Sequence, residues 1–175
     1  MTWEELYITY SDRVHQYILL MVGNGEIAED LTHDTFLKVK GTIHQFRGDS
    51  SYYTWVISIA RHVVYDHWKK KKRIRFLPLK SSHPVIDNKT PEEIVEKGEA
   101  VHELYEGIKK LKITYQEVLI LRKIEEFSVK ETAQALSWSE SKVKSTTMRA
   151  LEALKVELQK DRKEGDYNDK TERIQ

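Results

Sequence analysis

The chain has 175 residues, of which 39% are hydrophobic and 33% charged, and its formal net charge is only +1. This length suits one ordinary domain or two small ones, and the high charged fraction is typical of small helical domains. The absence of cysteine excludes disulfides and cysteine-based zinc sites. The longest apolar run, 17–22, is too short to span a membrane, and the acidic N-terminus lacks the basic region of a signal peptide. We therefore expect a cytoplasmic protein without direct membrane insertion.

The small net charge hides a segregated distribution. Residues 1–50 carry eight acids and four Lys/Arg, a net charge of −4, whereas 61–75 carry seven Lys/Arg and one Asp, a net charge of +6. Cations at that density repel one another, so the basic run indicates a polyanionic partner. A solvated helix end, in which cations meet the C-terminal dipole, is the simpler alternative. The bipolar pattern predicts two kinds of partner, one basic and one polyanionic.

The first predicted helix begins at the N-terminus. Thr2 and Glu5 have the spacing of a capping box, and Gly23-Asn24-Gly25 ends the helix. Apolar residues at helical spacing predict its buried face, which consists of Leu6, Tyr10, Val14, Tyr17, Ile18 and Met21.

The stretch from Ala28 to Arg73 predicts two further helices joined by a polar loop. In the first of them, the apolar arc consists of Ala28, Leu31, Thr32, Thr35, Phe36 and Val39. The opposite arc carries Asp30, His33, Asp34 and Leu37. A leucine between two acids on the solvent side is typical of an interaction surface, although a lone exposed leucine is also common.

The next helix is predicted from about Tyr52 to the lysine run. Its core arc consists of Val56, Ile59, Ala60, Val63 and Val64. Its opposite arc, which we expect to be exposed, consists of Ser58, Arg61, His62, Tyr65, Trp68 and Lys69. Cations that neutralise phosphates, together with rings that stack on unpaired bases, favour a nucleic-acid-binding face.

Residues 74–97 contain all three prolines of the chain, with serines and acids between them, and predict a linker. Thr90-Pro91 has the pattern of a helix restart, and residues 87–106 carry a net charge of −5, which is typical of a solvated helix. We therefore predict domains at 1–73 and 101–160, joined by a linker over 74–100. The charged residues 161–175 predict a frayed or disordered tail.

The second predicted domain ends in a helix-turn-helix. It begins with a stripe of Leu104, Ile108 and Leu111 and a helix over 115–123 with core candidates Val118, Leu119 and Leu121. Ser128 and Glu131 then form a second capping box, which starts a short helix through Leu136. A brief turn over 137–139 follows, and Ser139 can cap a long final helix from Glu140.

The final helix has two predicted faces. The inward face consists of Val143, Thr147, Ala150, Leu151 and Leu154. The outward face consists of Ser141, Lys142, Lys144, Ser145, Met148 and Arg149. Small hydroxyls, a thioether and three cations suit the major groove of duplex DNA, although many helical hairpins imitate a helix-turn-helix.

Two segments resemble one family. AEDLTHDTFLKV, followed by FRGDSSYYTWVISIARHVVYDH and the basic run, is similar to region two of the ECF (extracytoplasmic function) sigma factors, which are promoter-recognition subunits of bacterial RNA polymerase. EVLILRKIEEFSVKETAQALSWSESKVKSTTMRALEAL resembles region four of the same family. The resemblance implies an all-α protein with two small helical domains and a flexible linker, no cofactor, no metal and no enzymatic activity.

The resemblance also implies roles for these residues. The face of Asp30, His33, Asp34 and Leu37 would bind core RNA polymerase at the β′ clamp, and region four would meet the β flap and the −35 element. An anti-sigma factor, often membrane-bound in this family, would hold the chain inactive. The loop from Phe46 to Tyr52 would hold a base flipped out of the −10 strand. The −10 set consists of Phe46, Arg47, Gly48, Asp49, Ser50, Ser51, Tyr52, Trp55, Arg61, His62, Tyr65 and Lys69. The −35 set is the outward face of the final helix.

The chemistry of the loop agrees with that role. Gly48 allows backbone turns that other residues resist, and short hydrogen-bonding groups at Asp49 and the serines suit the edge of an extruded base. Nearby rings can stack on bases, although Trp55 is equally compatible with a core position. A plain solvated loop is the alternative.

The sequence departs from the family pattern at four positions. His62 replaces the usual Asn, Ser137 the turn glycine, Trp138 an aliphatic residue and Thr146 a frequent arginine, so base preference cannot be carried over. Two other functions are alternatives to that of a sigma factor. A free-standing helix-turn-helix regulator explains only the second domain, and a metal-dependent nuclease using His62, Asp66 and His67 lacks a complete ligand set, because His67 faces away from the other two.

Overall fold

The computed structural model describes the backbone of residues 1–75 and 98–172 and the side chains of residues 1–72 and 98–160. The described residues form helices and no strand, which confirms the predicted all-α fold class. The helices are α1 (Trp3–Val22), α2 (Gly25–Thr42), α3 (Tyr52–Arg75), α4 (Glu99–Lys109), α5 (Ile113–Leu119), α6 (Val129–Leu136) and α7 (Glu140–Glu172). A 3-10 turn, Ile43–Gln45, follows α2, and a π-helical turn, Ile120–Ile124, follows α5.

Helices α1, α2 and α3 pack on one another and form the N-terminal half. The predicted capping box is present, since the Thr2 side chain accepts from the Glu5 backbone and the Glu5 side chain accepts from the Thr2 backbone. Gly23 ends α1 at φ 70°, a left-handed conformation that favours glycine. The predicted core faces of α1 and α2 are confirmed, except that Tyr10 is half-buried.

Helices α4 to α7 form the C-terminal half around Ile108, Val118, Val143 and Leu154. The close contact between α4 and α7 depends on Gly107, since a Cβ there would lie 2.9 Å from Leu158 Cδ2. Three predictions of orientation were wrong. Leu104 and Leu151 are exposed and Thr147 is half-buried, because the buried faces pass through Tyr105 on α4 and Thr146 on α7 instead.

The predicted helix-turn-helix is present in α6 and α7. Ser128 and Glu131 form the capping box that starts α6. Ser137 ends α6 at φ 55°, and the Trp138 backbone N–H donates to the Ala133 carbonyl at 2.9 Å. Serine therefore adopts the left-handed turn conformation at the position where the family usually has glycine.

The two halves pack against each other through α3 and α6. Tyr53 and Ile57 of α3 belong to the same buried cluster as Phe127, Ala135 and Leu136. One prediction for α3 was therefore wrong, and one buried residue was not predicted. Ile57 is fully buried although it was assigned to neither face, and the face predicted to be exposed is half-buried at Ser58, Arg61, Tyr65 and Trp68 because the C-terminal half covers it.

The C-terminal end of the chain differs from the sequence-based prediction. The backbone of α7 continues as helix to Glu172, so the predicted disordered tail was wrong there. Lys, Arg and Glu in this stretch favour helix, and once a helix is nucleated each further residue adds one backbone hydrogen bond. The predicted helix restart at Thr90-Pro91 lies outside the described residues. No helix in the described part is long and apolar enough to cross a bilayer.

Candidate functional site

The outward face of α2 carries the four residues predicted to bind polymerase. Asp30, His33, Asp34 and Leu37 are all exposed, and 54% of the Leu37 surface is accessible. Neither aspartate forms an ion pair with any residue in the described part of the chain. The face therefore presents two carboxylates and an apolar side chain that are available to a basic, partly apolar partner surface.

Residues of α1 extend this face in a way that the sequence analysis missed. Leu37 and His33 line a groove of about 240 Å³ together with Trp3 and Tyr7. Tyr7 and Phe36 both line this groove, and the Tyr7 ring packs edge-on against Phe36 with ring centroids 5.0 Å apart. The Lys40 ammonium lies 4.6 Å from the centroid of Trp3. The i, i+4 spacing of Trp3 and Tyr7, outside the core arc of α1, was the available sequence signal.

The loop before α3 is organised by rings and by one glycine. Phe46 stacks on Tyr52 with centroids 4.2 Å apart and also contacts Trp55 at 5.3 Å, so Trp55 is half-buried in this cluster. Gly48 has φ 78°, which agrees with the predicted need for glycine. Arg47 and the Asp49 side chain are exposed.

The two serines of the loop differ in their engagement. The Ser51 hydroxyl oxygen accepts from the Thr54 backbone N–H at 3.1 Å, which is the hydrogen bond of an N-cap, and it lies 2.8 Å from the Thr54 hydroxyl. The Ser50 hydroxyl donates only to the Ser51 carbonyl, at 3.2 Å. Ser51 therefore has a structural role that Asp49 and Ser50 do not share.

Arg61 of α3 is joined to the C-terminal half by a buried ion pair. Its Nε lies 2.6 Å from Oε1 of Glu117, and the Glu117 side chain is completely buried. Burial opposes the charge of Arg61, but the hydrogen bond and the charge of Glu117 outweigh it and raise the pKa of Arg61. The Arg61 guanidinium also lies 4.5 Å from the centroid of Tyr65. Burial, followed by the charge of Glu117, raises the pKa of Tyr65 to about 12.

The remaining residues of the α3 face are more accessible. His62 is exposed, and its Nδ1 lies 2.6 Å from the Ser58 carbonyl, so Nδ1 carries the donated proton and Nε2 stays available to a partner. Lys69 is exposed at the end of the face, and the Trp68 ring packs edge-on against Tyr65 at 5.2 Å. Of the six residues of this face, His62 and Lys69 are the two that are exposed.

A second buried carboxylate joins the halves at the other end of the interface. Glu125 is 9% exposed and accepts from the Tyr53 hydroxyl at 2.5 Å and from Arg13 Nη2 at 3.1 Å. The Arg13 guanidinium lies 3.9 Å from the Tyr53 ring centroid. Burial and the hydrogen bond to Glu125 raise the pKa of Tyr53. The sequence analysis identified neither of these acids, because pairs separated by 56 and 72 positions leave no local pattern.

The outward face of α7 is open to solvent, as predicted. Ser141, Lys142, Lys144, Met148 and Arg149 are exposed, and Ser145 is half-buried. Ser139 caps the helix by accepting from the Lys142 backbone N–H at 3.2 Å. The Lys142 ammonium lies 4.1 Å from the centroid of the Trp138 ring, so the tryptophan of the turn makes a cation–π contact with the outward face of α7. This face presents three cations at the start of a long helix, the geometry that suits entry into a major groove.

The three predicted sets therefore lie on separate surfaces. The −10 loop is nevertheless joined to the C-terminal half, since Gln134 Nε2 of α6 donates to the Asp49 carbonyl at 2.7 Å. The residues proposed for a nuclease are not assembled. Asp66 is paired with Lys38 at 3.5 Å, and no group of three metal-binding side chains occurs in the described ranges.

Comparison with known proteins gives matches over both halves. Residues 6–74 match the family model of sigma-70 region 2, and residues 102–154 match that of sigma-70 region 4. The chain is 37% identical to the ECF RNA polymerase sigma factor SigX of Bacillus subtilis, over 90% of this chain and 84% of SigX. It is 33% identical to the RNA polymerase sigma factor YlaC of the same organism, over 92% of this chain and 94% of YlaC.

A solved structure has a similar fold. The sigma factor RpoE of Bartonella quintana, solved in complex with the anti-sigma factor NepR, superposes with a TM-score of 0.69 at 19% identity, over 89% of this chain and 96% of that one. The arrangement of helices described above is therefore one that a sigma factor adopts.

Proposed function

Because the chain belongs to the ECF family of RNA polymerase sigma factors, we propose that its three exposed surfaces divide the work of promoter recognition between them. As a sigma factor, the chain directs core RNA polymerase to promoters and helps to open the −10 region. The observation that carries the assignment of surfaces is that both sigma regions occur in order on one chain, each with an exposed face of suitable chemistry.

The outward face of α2 is proposed to bind the β′ clamp of the polymerase. Its carboxylates at Asp30 and Asp34 are exposed and lack ion-pair partners in the described ranges, and Leu37 lies at the edge of the groove formed with Trp3. A basic helix that also carries apolar residues would fit both features. Its cations would be attracted to the carboxylates and would steer the encounter, and an apolar side chain buried in the groove would supply affinity. The C-terminal half is proposed to meet the β flap.

The loop 46–52 and the free part of the α3 face are proposed to hold the melted −10 strand. Asp49 and Ser50 have side chains available to a base edge, and the stacked pair of Phe46 and Tyr52 offers a ring surface. Stacking of a base on an aromatic ring is worth about 1–3 kcal/mol. The outward face of α7 is proposed to read the −35 duplex.

The observed packing of the two halves is proposed to be a closed form. Arg61, which we assign to the −10 strand, is occupied by Glu117, and the backbone of Asp49 is bonded to Gln134. Only 18% of the Arg61 side chain is exposed in this packing, so we propose that α5 and α6 move away from α3 when the −10 strand binds.

Three further assignments complete the proposal. The polymerase supplies the chemistry, so the chain is assigned no enzymatic activity and no metal or cofactor. Its proposed location is the cytoplasm, with the nucleoid. Since the structurally similar RpoE was solved with an anti-sigma factor, a protein inhibitor of that kind, which could hold the chain at the membrane, is proposed for this chain too. A free-standing helix-turn-helix regulator is not favoured, because the match over 6–74 would then have no role.

The direct test is reconstitution with core polymerase on genomic DNA, followed by sequencing of the transcripts. We expect start sites that appear only when the chain is present and that share two upstream elements at a fixed separation. Core polymerase alone is the control. An unchanged set of start sites in the presence of the chain would contradict the proposed function.

A further inference from the structure

A pocket of about 550 Å³ lies between the two halves of the molecule. The C-terminal ends of α1 and α3 bound it on one side, and α4 and α5 bound it on the other. Its lining is mainly apolar and includes Met21, Trp68, Leu111 and Ile113. Pockets for small molecules are typically about 300–1,000 Å³ in volume and have mostly apolar walls with a few convergent polar groups, so this one has the size and character of a ligand site.

The charged groups that line the pocket are all cations. Lys69, Lys72 and Lys109 line it, and no acidic residue does. Lys109 Nζ lies 3.4 Å from Oε1 of Glu106, whereas Lys69 and Lys72 have no ion-pair partner among the described residues, so an anion in the pocket would stabilise these two cations. The amide of Gln116 is already used, because its Nε2 donates to the carbonyls of Lys109 at 3.2 Å and Leu111 at 2.7 Å.

The Tyr105 hydroxyl is the unsatisfied donor at this site. Tyr105 is 3% exposed and lines the pocket, and its hydroxyl has no hydrogen-bond partner among the described residues. Burial, assisted by the charge of Glu106, raises the pKa of Tyr105, so the hydroxyl keeps its proton at neutral pH and can only gain by donating to an acceptor. Buried polar groups are almost always hydrogen-bonded, so this hydroxyl indicates a missing acceptor.

We propose that this pocket binds a small amphiphilic anion, whose apolar chain packs between Met21, Trp68 and Ile113 and whose head group meets the lysines and the Tyr105 hydroxyl. A neutral ligand would leave Lys69 and Lys72 uncompensated, and a cation would be repelled by them. Carboxylate and phosphate head groups share the required chemistry, namely negative charge and several acceptor oxygens. The inference concerns binding alone and does not depend on the proposed function.

The test is isothermal titration calorimetry of the full chain with four amphiphiles of equal chain length, each below its micelle concentration. Decanoate and decyl phosphate carry the two candidate head groups, and decanol and decyltrimethylammonium are the neutral and cationic controls. We expect saturable binding of at least one anion, roughly tenfold or more tighter than either control. The tighter of the two anions identifies the head group. Because the ligand touches both halves, it should also raise the melting temperature of the chain.

Variants connect the binding to this pocket. Tyr105→Phe should weaken anion binding roughly tenfold, the loss expected for one hydrogen bond to a charged group. Lys109→Glu should weaken it further, because it replaces a favourable charge with a repulsive one. Tyr115→Phe and Lys130→Glu are matched controls outside the pocket and should leave binding unchanged, and circular dichroism checks that every variant is folded. If Tyr105→Phe fails to fold, the comparison of anion binding by Lys109→Glu with anion binding by Lys130→Glu tests the proposal.

Three results would overturn the proposal. Equal binding of all four amphiphiles would mean non-specific partition into apolar surface. No binding of either anion would mean that the pocket is closed to small molecules, as it would be if another segment of the chain or a protein partner covered it. Anion binding that is unaffected by Tyr105→Phe and Lys109→Glu would place the ligand elsewhere.

Discussion

At the residue scale, the completely buried carboxylate of Glu117 links structure to function most directly. Burial of a charge costs several kcal/mol unless the charge is well paired, and Arg61 supplies the pair. The same guanidinium belongs to the surface proposed for the −10 strand. Because the ion pair with Glu117 holds Arg61 in the interface with only 18% of its side chain exposed, the pair opposes DNA binding by the closed form.

Glu117→Gln should therefore increase the affinity of the free chain for a single-stranded −10 oligonucleotide. The substitution keeps the shape of the side chain and removes the charge that holds Arg61, so we expect a gain of about fivefold, equivalent to ~1 kcal/mol. Fluorescence anisotropy at fixed salt measures it. Glu126→Gln, at an exposed position of the same half, is the matched control. Equal or weaker binding by Glu117→Gln would show that the ion pair does not restrain the −10 surface.

A second residue-scale prediction concerns the α2 face. Asp30→Lys combined with Asp34→Lys should weaken binding to core polymerase by at least tenfold, because two attractive charges become repulsive. Both side chains are exposed, so the circular dichroism spectrum should not change. Glu4→Lys combined with Asp12→Lys, which makes the same change of net charge on α1, is the control. If the α2 variant competes for core polymerase as well as the wild type does, the polymerase site lies elsewhere.

At the scale of single elements, capping decides where the helix-turn-helix begins. The Ser128 hydroxyl and backbone exchange hydrogen bonds with Glu131 at 3.1 and 2.8 Å. These hydrogen bonds lower the pKa of Glu131. A carboxyl whose pKa is lower in the folded state stabilises the fold above its unfolded pKa, and this contribution is lost as the pH falls through the folded value.

Ser128→Ala should destabilise the chain by about 1 kcal/mol at neutral pH, the usual effect of removing an N-cap hydroxyl. It should also bring the pKa of Glu131 back up toward its ordinary value and reduce the part of the acid-induced destabilisation that Glu131 causes. Thermal unfolding across acidic to neutral pH and an NMR titration measure the two effects. Ser141→Ala, at an exposed helical position, is the control. An unchanged pKa of Glu131 in Ser128→Ala would contradict this account of the cap.

The outward face of α7 makes a prediction about duplex DNA. Lys144→Ala should weaken binding to most sequences about equally and reduce the salt slope by roughly one unit, because each phosphate contact releases about one counterion. Lys123→Ala, at an exposed position of the same half, is the control. We expect Lys142→Ala or Arg149→Ala to alter sequence preference instead. Unchanged affinity and preference in all three variants of α7 would remove this face from the −35 interface.

Local sequence patterns predicted the helices and their caps better than they predicted the burial of individual residues. The capping boxes at Thr2 and Ser128, the breaker at Gly23 and the core faces of α1 and α2 depend on neighbouring residues, and all are present in the structure. Leu104 and Leu151 were predicted to be buried but are exposed. A helix can carry more apolar residues than the neighbouring helices cover, and the surplus residues then stay exposed. Helix propensity in the charged C-terminal residues was underestimated.

At the scale of the whole molecule, the packing of the two halves was the feature that sequence reasoning could not supply. Arg61 and Glu117, or Tyr53 and Glu125, meet only after both halves have folded, and their spacing follows no helical period. The prediction that the α3 face is free was correct for His62 and wrong for Arg61 because of this packing. A surface with a resemblance to a DNA-binding region can therefore be covered by the chain itself.

The most direct measurement of the central claim is permanganate reactivity of thymines in the −10 region of a promoter identified by transcript sequencing. We predict reactivity only when core polymerase and the chain are both present. Asp49→Ala combined with Ser50→Ala should abolish it while core binding and −35 duplex binding stay normal; Ser51 is left intact because it caps α3. The control is Asp12→Ala, an exposed position on α1 outside the three proposed surfaces. Reactivity in the double variant equal to that of the wild type, or no reactivity with the wild type, would contradict the account.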